Sequence, residues 1–299
     1  MRQNDSHGLL YALGGFSLLS VGDAAIKTIA GAWPGTAVAL TRYAIGAVLL
    51  GVLLWRREGR AGFRLTHWRW HLLRGFAVAM ATVAFFSALF VMPIAEATSI
   101  TFTSPILTVL LAAPILGERI RPVAIVALLL AFAGVVIVLR PSFAELGPAA
   151  LLPLLSALGM SLLMLGNRAV AGSGSALAMQ FSVASLAVPV LGVATLAGHW
   201  SGLPQYHVGP VDWTILARCA VVACTASTAH WLIYRGTERT GAARVAPMTY
   251  VQMLVALGLG AAVFGDRPDG IALVGAAVII AGGLLLWWTG RVAEPSMTD

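Results

Sequence analysis

Few side chains in this sequence could do chemistry, and most of them stand inside long apolar runs. Asp23 and Lys27 lie four apart in the first run and Arg42 lies in the second. Thr101, Ser104 and Thr108 recur at helical spacing within residues 94–116, with Thr98 beside them. Thr249, Tyr250 and Gln252 form a second polar group within 241–264, and His230 falls in the middle of 213–234. Polar groups are costly in hydrocarbon, so at such positions they face a cavity or a protein partner. Hydroxyl and amide groups there can hydrogen-bond a solute, and a histidine or carboxylate can also carry a proton.

The same residues offer little to an enzyme. No nucleophile stands with a base in a water-accessible cluster, and no His or Cys pair has metal-ligand spacing. Cys219 and Cys224, five apart in one apolar stretch, indicate neither a disulfide nor a zinc site. Gly172-Ser173-Gly174 lacks the βαβ context of a nucleotide fingerprint, and there is no Walker motif to drive an ATP-fuelled pump. No metal and no cofactor are expected.

The elements that must position these groups follow from composition. The 299 residues are 59% hydrophobic and only 10% charged, with a mean hydropathy of +0.88. A soluble chain carries about 25% charged residues, so a soluble enzyme, a disordered chain and a secreted disulfide scaffold are all excluded. A membrane-spanning helix needs roughly 20 mostly apolar residues. Ten such windows occur, near 8–30, 35–55, 72–92, 94–116, 122–140, 148–170, 175–197, 213–234, 241–264 and 270–290. They are apolar all round, as in Val123 to Leu139, rather than alternating as a transmembrane barrel requires. The polar N-terminus, Met1 to His7, has no small-residue cleavage pattern after it, and the first run is expected to be retained as a span.

A pI near 10.2 and a net charge of +7 could suggest a nucleic-acid partner. The distribution of the basic residues argues otherwise. With the N-terminus inside, fourteen of the 19 fall on the cytoplasmic side and only Arg140 and Arg267 on the other, while Lys27, Arg42 and Arg218 stay within or at the ends of spans. The excess is a topology signal: both termini are expected in the cytoplasm, with no nucleic acid involved. Small-residue spacings such as Ala256 to Gly260 serve packing within one chain as readily as between chains, which leaves the oligomeric state open.

The chain also matches itself at a shift of 148. Gly117-Glu118-Arg119 falls on Gly265-Asp266-Arg267 and Ala133-Gly134 falls on Ala281-Gly282. Two halves of five spans follow, residues 1–144 and 145–299. Because five is odd, the second half must enter the membrane inverted, an arrangement that recurs in secondary transporters. The expected fold is all-α and integral to the membrane, ten transmembrane helices as two inverted five-helix repeats.

The segment from Ile94-Ala95-Glu96-Ala97-Thr98 through Pro105 to Leu116-Gly117-Glu118-Arg119, with the Ala133-Gly134 helix after it, resembles the EamA-like domain of the drug/metabolite transporter superfamily. Ala246-Pro247-Met248-Thr249-Tyr250 through Phe264-Gly265-Asp266 resembles its second copy. The match departs at Asp266, where that family often has Glu, and at Met253, where alignment with Pro105 would put a proline. The resemblance implies transport of a small metabolite across the inner membrane. It is most similar to bacterial amino-acid exporters, aromatic ones included, and to a branch that carries S-adenosylmethionine or similar solutes.

The function expected is therefore a secondary transporter working by alternating access, first of all an amino-acid exporter. The alternatives are uptake of S-adenosylmethionine or another nucleoside-like or vitamin-like solute and, from a different class, a polytopic membrane enzyme or scaffold. The substrate-binding candidates are Thr101, Ser104, His230, Thr249, Tyr250, Gln252, Asp23 and Arg42. The shift of 148 pairs Thr101 with Thr249 and Ser104 with Gln252, so two polar stripes could line one interior. The same hydroxyls could instead bond back to their own or a neighbouring helix. Asp23 and Lys27 have the spacing of an intrahelical ion pair, with binding of a charged solute as the other reading. Arg42 could pair with Asp23 or meet a carboxylate. Pro105 should bend span four, Glu96 has the position of a first-turn helix charge, and Phe85 and Phe86 could face lipid or wall a cavity.

Overall fold

Each apolar run becomes a helix, because a chain without water to bond must satisfy its backbone within itself. A computed structural model describes residues 3–116, 122–170, 172–210, 212–240, 245–266 and 269–291. Spans one to three are Gln3–Lys27, Gly35–Glu58 and Trp68–Val91, and span five is Pro122–Leu146. Spans six to eight are Leu152–Ala169, Ala176–Trp200 and Trp213–Thr240, and span ten is Gly270–Arg291. Among the described residues, seven helices are long and apolar enough to cross a membrane, and three shorter apolar helices complete the ten. The protein is a multi-pass, all-helical membrane protein.

Spans four and nine are not single regular helices. Span four is broken into Ile94–Thr101 and Ser104–Leu116. Phe102 and Thr103 close the first piece with bonds from Phe102 N to the Thr98 carbonyl at 3.1 Å and from Thr103 N to the Ile100 carbonyl at 3.1 Å. Pro105 has no N–H to continue the ladder, so the bend expected from it falls on the two residues that precede its helix. Span nine runs as a 3-10 turn Ala246–Tyr250, an α-helix Val251–Leu259 and a π-turn Gly260–Phe264. Residues 241–244, the expected start of that span, lie outside the described residues. The change of helix type after Tyr250 falls at the position that the shift of 148 assigns to Phe102.

The packing follows the repeat. Span one packs on eight and span six on three; span one also packs on nine, and span six on the second piece of four; two meets seven, and five meets ten. Exchanging the halves converts each contact into another on the same list or into itself. The contact of spans five and ten shows this in atomic detail. A Cβ at Gly134 would lie 2.7 Å from the Gly275 carbonyl and 2.7 Å from Ile279, and a Cβ at Gly282 would lie 3.0 Å from the Ala127 carbonyl. Gly275 and Gly282 are the counterparts of Ala127 and Gly134, so spans five and ten meet through one patch used twice.

Large apolar side chains point outward, such as Val48, Leu129 and Phe132, at 66%, 62% and 63% exposure. The buried core draws heavily on alanine, including Ala37, Ala77, Ala97 and Ala187. Small residues inside and large ones outside is the packing rule for helices in lipid, where close backbone approach replaces a water-driven core.

Candidate functional site

Ser20, Asp23 and Lys27 are three and four residues apart in span one, so they share a face. Span nine and its turn lie against that face. Ser20 Oγ donates to the Gln252 carbonyl at 2.7 Å, Gln252 Nε2 donates to Asp23 Oδ2 at 3.2 Å, and Lys27 Nζ pairs with Asp266 Oδ2 at 2.5 Å. Lys27 also donates to the Met92 carbonyl at 3.3 Å and stands 5.0 Å from the Phe264 ring centroid. The intrahelical Asp23–Lys27 pair expected from spacing is not made. Lys27 ends its helix, and its long stem reaches past the terminus to the Gly265–Asp266 turn, where a carboxylate and a helix-end carbonyl are satisfied together.

Arg42 comes from span two, on the far wall of a cavity that Asp23 also lines, together with Leu19, Gly22, Phe86 and Thr225. Among the described residues it makes no ion pair with Asp23. Its guanidinium carbon lies 4.3 Å from the Tyr43 ring centroid and 5.5 Å from that of Phe86. Tyr43 is fixed in turn by its hydroxyl, 3.1 Å from Thr82 Oγ1. Phe86 is buried beneath the cation, so it does not face lipid. The Nε of Arg42 is buried without a hydrogen-bond partner. The cavity holds about 20 Å³, enough for a water molecule but not for a metabolite.

His230 lies on span eight within electrostatic reach of Arg42. Val221, Cys224, Thr228 and Trp231 are exposed at spacings of three and four, which marks the outward stripe of that helix. His230 is also exposed, yet it points to the opposite side, one turn beyond the cavity-lining Ala226. Arg218, near the start of the same helix, donates to the Thr28 carbonyl at 2.9 Å, so His230 lies towards the end remote from the Lys27–Asp266 pair.

The polar stripe of span four is arranged differently. Thr101 Oγ1 donates to the Ala97 carbonyl at 2.9 Å in its own helix and lies 3.5 Å from the Pro153 carbonyl in span six. Thr108 Oγ1 donates to the Ser104 carbonyl, and Ser161 Oγ of span six approaches that carbonyl at 2.8 Å. Ser104 is the counterpart of Gln252, so Ser161 repeats on span four the bond that Ser20 makes on span nine. The two stripes turn to different neighbours, six and one. Tyr250 sets its ring on Phe102, with centroids 5.7 Å apart at 90°, and its hydroxyl lies against Gly283 of span ten. Thr249 is partly buried in the 3-10 turn before it. Glu96 is buried in the first turn of span four, as its position suggested.

Of the eight candidates, Asp23, Arg42 and Gln252 come together, with His230 nearby. Thr101, Ser104 and Tyr250 make other contacts, and Thr249 is partly buried in its turn. Ser20 joins the cluster without having been singled out, and Phe86 takes the cavity-wall reading that stood open for it and Phe85. The signal for Ser20 was present, because it stands one turn before Asp23; Phe86 had none that set it apart from Phe85.

A ten-helix membrane protein with inverted halves and a polar cluster between them defines a carrier class. The chain belongs to the EamA-like transporter family, which matches residues 6–140 and 147–288. It is similar to a riboflavin transporter of Rhizobium johnstonii, 29% identical over 272 residues that cover 91% of this chain and 86% of that one. An S-adenosylmethionine uptake transporter of Rickettsia bellii is 24% identical, with 75% of this chain and 74% of that one covered. A pseudopaline exporter of Pseudomonas aeruginosa is 26% identical, with 91% and 93% covered. A solved crystal structure superposes with a TM-score of 0.58 at 20% identity, over 97% of this chain and 99% of that one, which supports the fold alone. The protein is a transporter of small solutes, and its family points away from catalysis.

Proposed function

We propose that this protein is a secondary transporter of a nucleoside-like or vitamin-like heterocyclic solute, acting by alternating access in the inner membrane with both termini in the cytoplasm. The observation that carries this reading is one cavity, where the two halves touch, lined by Asp23 of span one and Arg42 of span two, with Gln252 of span nine bonded to Asp23 behind it. Sites between inverted halves are where carriers of this architecture bind their solutes. The relatives named for riboflavin and S-adenosylmethionine favour a heterocyclic solute over the amino acid expected first from sequence. Asp23, Arg42 and Gln252 hold the solute and His230 lies on its path. Thr101, Ser104, Thr249 and Tyr250 serve the packing around the break in span four and its counterpart.

Amino-acid export is the second reading, favoured by the facing charges of Asp23 and Arg42, which suit a zwitterion. Counterflow in proteoliposomes separates the two. Vesicles loaded with riboflavin, S-adenosylmethionine, adenosine, tryptophan or methionine would be tested for exchange at two pH values. Exchange with a heterocyclic solute is expected; exchange confined to the amino acids would transfer the reading to export of those, and exchange with none would remove both.

A further inference from the structure

The cavity between spans one, two, three and eight presents two kinds of polar group and keeps them apart. Among the described residues the Nε of Arg42 is a buried donor without an acceptor, and two aromatic rings, not a carboxylate, lie against its guanidinium. A guanidinium carries five N–H donors in a rigid plane, and leaving them unmatched away from water is costly. Asp23 is an acceptor with one oxygen engaged: Gln252 Nε2 donates to Oδ2, and Ser20 anchors the Gln252 backbone. Both line one cavity, with Leu19, Gly22 and Phe86 as apolar walls. The two charges neutralise the site as a whole, although no direct pair closes them against each other.

A group that fits this arrangement brings its own acceptor to Arg42 and its own N–H to Asp23, side by side. It must also be flat enough to lie beside Phe86 and Tyr43. A solute with a net negative charge would leave one charge uncompensated in a low-dielectric site, which Asp23 would repel. We infer that the transported solute is read through an adjacent acceptor and N–H donor on the edge of a planar heterocycle, seated between Arg42 and Asp23 when alternating access widens the water-sized cavity seen here, and that phosphorylated forms are rejected. This rests on the reading that this cavity is the solute site. The imide edge of a flavin and the amino-pyrimidine edge of an adenine both carry such a pair.

The test is binding and counterflow with the full-length protein, using riboflavin, N3-methylriboflavin, riboflavin 5′-phosphate, adenosine and N6,N6-dimethyladenosine. Methylation removes the donor and keeps the shape, and phosphorylation adds negative charge that no group of the site compensates. At least one unmodified heterocycle should exchange, with roughly ten- to hundred-fold weaker binding of its methylated form, the scale of one unmatched buried polar group. Arg42→Lys and Asp23→Asn should narrow that difference to within about threefold while the variants stay monodisperse. Equal binding of parent, methylated and phosphorylated forms to the wild type would overturn the inference and leave the carrier reading standing. Exchange with none of the panel would overturn both. The solute series is run on the unaltered protein, so misfolding of a variant does not affect it.

Discussion

The ring of Phe102 meets the ring of Tyr250 edge to face, 5.7 Å between centroids at 90°. These residues occupy the same position in the two halves, 148 apart, so the axis relating the repeats passes between them. A contact between equivalent residues is possible only at such an axis. Both stand where their span changes helix type, and this places the local symmetry and the irregular backbone together. Phe102→Ala or Tyr250→Ala should lower the melting temperature in detergent by several degrees, as loss of a buried aromatic pair costs about 1 kcal/mol beyond area. The double variant should lose less than the two single losses added together. Full additivity would mean that the rings do not interact.

The contact of spans five and ten should tolerate little added volume. A Cβ at Gly134 would lie 2.7 Å from backbone and side chain of span ten, so Gly134→Leu must push the helices apart. Its counterpart Gly282→Leu should behave alike. Gly46 and Gly258 have open space where a Cβ would stand, and Gly46→Ala and Gly258→Ala should be accepted. The monodisperse fraction on size exclusion reads this. A monodisperse Gly134→Leu protein with unchanged melting temperature would refute it.

The Lys27–Asp266 pair ties the end of span one to the turn between spans nine and ten, with side chains 15% and 18% exposed. Lys27→Met or Asp266→Asn should free that end of the bundle. A cysteine placed at Leu19, in a Cys224→Ser background, should then react several-fold faster with a membrane-impermeant thiol reagent from that side. The exchange Lys27→Asp with Asp266→Lys should restore slow labelling. Unchanged rates in both single variants would show that the pair does not hold the end closed.

Ser20 and Ser161 reach corresponding carbonyls, Gln252 at 2.7 Å and Ser104 at 2.8 Å, although the Ser161 hydroxyl lies equally near the Ala157 carbonyl of its own helix. Alanine at either should cost a similar, modest stability, about 0.6 kcal/mol for an interhelical bond in a membrane protein. Their effects on transport should differ. Ser20→Ala loosens the residue that holds Asp23 and should raise the KM of the solute, whereas Ser161→Ala should leave it near wild type. Equal KM changes would count against an asymmetric site.

Much of the fold was legible in the residues. Span starts at Gly35, Ile94, Pro122, Trp213 and Gly270 coincide with or lie within a residue of those read from hydropathy, because apolar length is the whole requirement for crossing lipid. The repeat register was equally clear, since the Ala133-Gly134 and Ala281-Gly282 steps need small residues where backbones touch. The candidate site was only partly legible. Spacing identified Asp23, Arg42 and Gln252 as polar groups in the wrong solvent, but spacing within one helix also suggested the Asp23–Lys27 pair, which the structure does not make.

By itself the sequence determined that the chain is a ten-span membrane protein of two matching halves, and it exposed the small set of polar residues that such a chain must account for. Those conclusions rest on length, periodicity and charge counts, all properties of one stretch of chain at a time. Which polar group meets which was decided only in three dimensions. Lys27 had Asp23 within one turn, yet its partner lies 239 residues away, because the turn after span nine is brought to the end of span one. Thr101 and Gln252 lie on stripes that the register relates, yet one turns to span six and the other to span one. Partner choice between helices depends on how they are rotated and how closely they approach, and neither is written in the spacing along any single helix.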